Sequence, residues 1–284
     1  MHMSDPCSPK GAESVPHADD FLQSQYGVRR RGWRGRRIGV LTDPLFDLRL
    51  TRNRSYRSLA HKAASMPPRR VHVAAVDVPA RRADLDAVVA ALADTRHQVT
   101  VSFAPLGDRG KFENINLALR EVDLAQIDWL IVTDDDVAFP QHFLDRFLFA
   151  CEAASLRIAQ PAHCFRSHTA WEVTQRIWNS LVHITRFVEC GPITAFHRSV
   201  FPHVLPFPET RWAWGVDVLW GEIARREGFQ IGVVDATPIR HLRPVGKLYS
   251  QHSAVEEARQ LLARHRIKRG SRAILETTAV LSHL

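Results

Sequence analysis

From Ile38 onward the chain alternates short, almost wholly apolar runs with segments of helical periodicity, and this alternation restricts its fold more than any other feature. Ile38–Thr42, Val71–Val78, Gln98–Phe103, Asp128–Thr133 and Leu156–Gln160 read as strands. Tyr56–Ser65, Ala83–Ala93, Asn114–Val122 and Pro140–Ala154 lie between them and read as helices, the last opened by a proline. Strands without polar alternation need cover on both faces, and intervening helices provide it. The spacing therefore predicts an α/β fold, a Rossmann-like and mostly parallel central sheet flanked by helices. Ligands of such sheets bind outside the carboxyl ends of the strands, so the polar residues that follow each strand are the ones to weigh.

The second half reads differently. Trp171–Val188 has helical spacing, Gly191–Phe196 is a short strand, Val216–Glu227 a helix and Gln230–Val234 a strand. Ser253–Ile267 closes with Val255, Ala258, Leu261 and Leu262 on one face, either against the chain's own core or against a second copy in a homodimer. The expected division is a flexible basic arm over 1–36, a first half over 37–160, a smaller second subregion over 161–250 and a helical tail over 251–284.

The 284 residues are 45% hydrophobic and 24% charged, which excludes a disordered or fibrous chain. Thirty-eight basic against 30 acidic side chains leave a net charge of +8, which suits nucleic acid, phospholipid or phosphorylated small molecules. Seven basic and four acidic residues fall in 1–37, including six arginines around Trp33. That segment reads as an anchor to an anionic membrane or RNA, or as a solvated arm. No zinc-finger, RNP or KH motif is present, so nucleic acid is not expected as the partner. Cys7, Cys151, Cys164 and Cys190 form no CxxC pair, and no apolar run approaches the length of a membrane span. A reduced, cytoplasmic protein is expected, with peripheral membrane contact through the arm left open.

Asp134, Asp135 and Asp136 follow directly on the run Trp129–Thr133. Three adjacent carboxylates repel one another and are tolerable chiefly around a cation, and hard oxygen ligands favour Mn²⁺ or Mg²⁺. Upstream, Gly110-Lys111 leads into a helix carrying Asn114 and Asn116, a start suited to an anion. Arg243 and Lys247 sit in a Pro- and Gly-containing loop that could close over a diphosphate. Trp212, Trp214 and Trp220 cluster in sequence around Asp217, the first two as indole faces for a flat ligand and Trp220 as a core residue.

Taken in order, these segments resemble glycosyltransferases of the GT-A fold, especially the family 2 type. Gly110-Lys111, Asn116 and Ala118-Leu119 match its GK…N-x-(A/G)-L segment, Asp134-x-Asp136 its DXD, and Trp214-Gly215-Val216-Asp217 its xED-type element. LRIAQPA, GPITAF, WGVD and GVVDATPIRH also resemble a group of uncharacterised GT-A-like proteins, and the resemblance covers about residues 37–250. It implies transfer of a sugar from a UDP-, GDP- or dTDP-sugar to an acceptor hydroxyl on a small molecule, glycan or lipid-linked acceptor. Asp134, Asp136 and His241 would hold the metal. Thr42, Asp77 (at the end of strand two), Lys111, Asn116, Asp134, Asp135, Gly191, Arg243 and Lys247 would face the donor, and Trp212 and Trp214 the acceptor. Asp217 would be the general base of an inverting reaction, with Glu222 the second candidate. Two departures stand out: Val216 replaces the acidic residue of xED, and Val78-Pro79-Ala80-Arg81 replaces the usual glycine-serine turn. The rival readings are a haloacid-dehalogenase-like phosphohydrolase using Asp134 and Asp136, and a basic nucleic-acid-binding module.

Overall fold

The computed structural model describes Leu22, residues 33–244 and residues 251–284. The expected arm therefore lies largely outside the described residues, as does Lys247.

Two helices, α1 (Trp33–Arg52) and α2 (Arg54–Ser65), precede the sheet. Asn53 separates them, and its side-chain oxygen accepts the backbone N–H groups of Ser55 and Tyr56 to cap α2. The expected strand at Ile38–Thr42 is thus part of a helix. Gly39, Asp43 and Leu50 are buried and Phe46 half-buried, a helical spacing that a five-residue apolar window cannot reveal. As a result β1 (Arg70–Asp77), expected as the second strand, is the first strand of the sheet.

The other strands are β2 (Gln98–Pro105), β3 (Trp129–Thr133), β4 (Val137–Ala138), β5 (Leu156–His163), β6 (Val182–Thr185), β7 (Ile193–His197), β8 (Gln230–His241) and β9 (Thr277–Leu281). They assemble in the order β2-β1-β3-β7-β5-β8-β6-β9, with β4 on the end of β8. β1 is parallel to β2 and β3, and β5 to β8; β7 is antiparallel to β3 and β5, and β6 to β8 and β9. Most strands therefore run one way, with β4, β6 and β7 reversed.

Flanking helices are α3 (Arg82–Ala93), α4 (Lys111–Ala118), α5 (Phe143–Ala153), the short α6 (Phe201–Val204), α7 (Val216–Glu227), α8 (Gln251–Arg264) and the short α9 (Ser271–Ile274). Alternate residues of β3 point to opposite faces. Leu130 and Val132 join Phe112, Phe196, Phe207, Trp220 and Leu261 in one apolar cluster, while Trp129 and Ile131 join Leu59, Leu92, Phe143 and Phe147 in the other. This two-sided burial is why the strands lack polar alternation.

Two further expectations are corrected. Trp171–Val188 is not a helix but a short 3-10 turn (Glu172–Thr174) followed by β6. Asn179 there has φ +56°, a left-handed conformation that an α-helix does not accommodate, and β6 pairs on both sides. The tail is not wholly helical, because β9 adds an edge strand, and the Ala258, Leu261 and Leu262 face of α8 packs on the chain's own core. Among the described residues no helix is long and apolar enough to cross a membrane.

Gly221 lets α7 lie close against the backbone that follows β6. A Cβ there would lie 2.2 Å from the carbonyl oxygen of Arg186. Alanine is favoured over glycine by about 1 kcal/mol in an exposed helix, but overpacking against backbone costs about 1–3 kcal/mol. Gly221→Ala is expected to lower the melting temperature, on the order of 5 °C by thermal denaturation. An unchanged or raised value would show that α7 can stand off from β6.

Candidate functional site

The acidic triplet leaves β3 at its carboxyl end, and the two-residue strand β4 carries the chain onto the end of β8. That ladder sets Val137 opposite His241, and the Leu242 N–H donates to the Asp136 carbonyl at 2.9 Å. Residues far apart in sequence thereby meet: ligand atoms of Asp134, Asp136 and His241 lie within 4.8 Å of one another. His241 Nε2 stands 3.2 Å from Asp136 Oδ1. Its Nδ1 lies 2.9 Å from the His168 carbonyl, which can only accept, so Nδ1 carries a proton and Nε2 faces the carboxylates. Burial pulls the His241 pKa down, but Asp136 outweighs it and the net shift is upward; burial likewise raises Asp136, and His241 brings it below the ordinary value.

Each carboxylate is met by a cation from a different element. Lys111, the first residue of α4, reaches Asp134 Oδ1 at 2.7 Å and donates to the Cys190 carbonyl at 3.0 Å. Desolvation works against its charge, but Asp134 leaves its pKa above the usual lysine value. Asp135 takes Arg243 at 2.9 Å and Arg81 at 3.7 Å, and burial still outweighs both and raises its pKa. Arg243 also pairs with Asp84. Gly191 completes the wall: a Cβ there would sit 3.0 Å from Asp134 Oδ2 and 3.4 Å from Lys111 Nζ.

Asp217 lies in the first turn of α7 and is buried. Gly215, at φ +83°, precedes that helix, so Asp217 stands two residues past the cap. Burial lifts its carboxyl to about 7, although the Val218 N–H donates to Oδ1 at 2.9 Å and works the other way; Glu189 adds to the rise. Glu222 differs sharply: Arg225 and then Arg226 hold its carboxyl below the ordinary value despite burial.

The remaining expected residues are more dispersed. Asp77 ends β1, where Arg82 meets Oδ2 at 3.0 Å while Oδ1 is buried without a hydrogen-bond partner. The Asn116 amide binds the backbone of Phe207 both ways, donating to its carbonyl and accepting its N–H, each at 2.9 Å. Thr42 lies within α1 rather than at a strand end. Trp212 and Trp214 are part-exposed just before α7, and Glu257 of α8 accepts the Arg211 and Trp212 N–H groups.

Several contributors are not apparent from sequence. Ser167 Oγ accepts the His241 N–H at 2.7 Å and lies 2.8 Å from His163 Nδ1; His163 Nε2 is 3.5 Å from Glu189. Asp43 of α1 accepts the Phe165 and Arg166 N–H groups, fixing the start of the loop that supplies Ser167 and His168. The only available signal was their position just after β5.

The sequence matches no family model and no curated protein. Solved structures with similarity include the catalytic domain of Drosophila β1,4-galactosyltransferase 7 in complex with xylobiose (14% identity, 67% of this chain, 80% of that one, TM-score 0.42). Another is S. aureus TarS in complex with UDP-GlcNAc (10% identity, 64% of this chain, TM-score 0.44), of which this chain covers 62%, less than two thirds. A mutant of the Drosophila enzyme with manganese, UDP-Gal and xylobiose gives 14% identity, 66% of this chain, 79% of that one and a TM-score of 0.40. Likeness this distant carries no residue's role to the present chain.

The raised carboxyl of Asp217 has a measurable consequence. Below its ordinary value of 3.8 the group is neutral whether the chain is folded or not; between there and about 7 only the folded chain keeps the proton. Its contribution to stability is thus full at low pH and is lost as pH rises to about 7, by up to about 1.4 kcal/mol per pH unit. Urea denaturation from pH 4 to 8 should show Asp217→Asn lacking this loss and more stable than the parent at the upper end. Parallel curves would place the carboxyl at an ordinary pKa.

Proposed function

We propose that the protein is a metal-dependent glycosyltransferase that moves a sugar from a nucleoside diphosphate sugar to an acceptor hydroxyl with inversion. The observation that carries this reading is the convergence of Asp134, Asp136 and His241 within 4.8 Å at the carboxyl ends of β3 and β8, beside Lys111. Two carboxylates and an imidazole whose Nε2 is aimed between them fit Mn²⁺ or Mg²⁺, and the His168 carbonyl fixes the ring for that use. A divalent ion held there supplies positive charge for a diphosphate leaving group.

The chain's own residues account for the rest. Lys111 and Arg243 bring cationic donors to the same edge, and Gly191 leaves room for the donor sugar beside Asp134. Asp77, with one carboxylate oxygen unpartnered, is the candidate for the nucleoside. Trp212 and Trp214 offer indole faces to the acceptor. Asp217 takes the hydroxyl proton as that oxygen bonds to the anomeric carbon and the carbon–oxygen bond to the diphosphate breaks. A base titrating near neutrality suits that step, whereas Glu222 is committed to two arginines. In this reading residues 37–160 serve the donor and 161–250 the acceptor and catalysis.

The test is thermal denaturation with UDP, GDP, dTDP, CMP and ADP, each with and without Mn²⁺. One diphosphate at about 100 times its Kd should add roughly 2.7 kcal/mol, a shift of about 5–10 °C that requires the metal and disappears in Asp136→Ala. No shift with any nucleotide would sink the proposal. Once the donor is known, Asp217→Asn should keep the manganese-dependent shift yet lower the transfer rate by about 10²–10⁴. Equal activity in Glu222→Gln and loss in Asp217→Asn would separate the two carboxylates.

A further inference from the structure

Helix α1 carries apolar side chains on its outer face as well as its inner one. Its inner face is formed by Gly39, Asp43, Phe46 and Leu50, and Asp43 is bound to the backbone of Phe165 and Arg166. Its outer face carries Val40 (55% exposed), Leu41 (73%), Leu45 (57%) and Leu48 (48%). A helix that meets water on that side would carry polar residues there. Trp178, 52% exposed, extends the patch, its ring edge-on to Phe46 at 4.9 Å.

Basic residues are dense in the sequence around this helix. Residues 29–57 contain ten arginines and two aspartates, a net +8, which equals the net charge of the whole chain. Both aspartates are engaged, Asp43 with Arg166 and Asp47 with Arg176. Arg49, Arg52, Arg54 and Arg57 are exposed, and among the described residues no carboxylate pairs with them.

We propose that the outer face of α1 docks on an anionic lipid surface, the leucines and Trp178 entering the headgroup boundary and the flanking arginines meeting lipid phosphates. Leucine and tryptophan on one face with arginines around it is the composition of an interfacial helix. A second copy of the chain is disfavoured as occupant because it would bring the exposed Arg49 and Arg52 of one copy toward those of the other. RNA is disfavoured because, Trp178 apart, the patch is aliphatic and offers no row of rings for successive bases to stack on. The helix lies at the same end of the sheet as the metal-ligand cluster, since Asp43 holds the loop leaving β5. Docking stands independently of the transferase reading, because its readout is lipid binding rather than activity.

The test is co-sedimentation of the full chain with vesicles of phosphatidylcholine alone or mixed with phosphatidylglycerol. Binding is expected to the mixed vesicles, to weaken with salt, and to be at least tenfold lower on phosphatidylcholine alone. Leu41→Gln, Leu45→Gln and Leu48→Gln combined should lower binding roughly tenfold or more with little change in melting temperature, and Arg49→Glu with Arg52→Glu should do the same by a separate route. Absence of binding to the mixed vesicles, or binding that neither variant weakens, overturns the proposal. So does a concentration-dependent dimer in size-exclusion chromatography that the leucine variant abolishes while vesicle binding stays intact.

Discussion

Three consecutive carboxylates at the end of an apolar strand are the constraint around which the other parts of the site are arranged. Asp134, Asp135 and Asp136 cannot be half-buried side by side as ions unless positive charge is brought to them. The fold brings it from four directions: Lys111 from α4, His241 from β8, Arg81 from the turn before α3, and Arg243 from the segment after β8. The order β1-β3-β7 fixes where the triplet emerges, and the short β4–β8 ladder fixes which residue faces it. A one-residue slip of that ladder would turn His241 to the other face and leave Asp136 without its partner.

The environment also divides labour between residues that look equivalent in sequence. Asp217 and Glu222 lie on one helix, little more than a turn apart, and either could serve as a base by type alone. Burial without a cation raises the first to about 7, whereas two arginines on the next turn keep the second ionised. Asn116 gives the converse case. Its amide types suit a nucleotide, but both of its hydrogen-bonding ends are bound to Phe207. Residue type proposes a role, and the partners already present decide how much of the side chain is left for it.

What was legible in the sequence follows the same logic. β1, β3 and β5 and the helices flanking them could be read because burial on two faces makes unmixed apolar runs, and β2 from Val99, Val101 and Phe103, whereas the two-residue β4 leaves no such run. The triplet, Lys111, His241 and Asp217 could be ordered along the chain because each follows or precedes such a run. Ser167, His168, Glu189 and Asp43 could not, since a hydroxyl, a carbonyl or a carboxylate that orients another residue leaves no periodic trace. The 171–188 segment was misread because its apolar residues have helical spacing, while the left-handed turn at Asn179 and the pairing of β6 depend on partners distant in sequence.

Ile38–Thr42 reads as a strand for a different reason. A helix on a soluble domain is recognised by a hydrophobic stripe facing inward. In α1 the inward stripe includes glycine and an aspartate beside Phe46 and Leu50, and Val40 and Leu41 face out, so the run Ile38–Thr42 resembles a buried strand. The aspartate is inside because it binds two backbone N–H groups of the loop whose next residues hold His241. The leucines are outside, on a helix that also exposes Arg49 and Arg52. One helix thus carries a polar anchor toward the metal-ligand cluster and an apolar, cationic face away from it. The same short loop that Asp43 holds at its start holds His241 at Ser167 and His168.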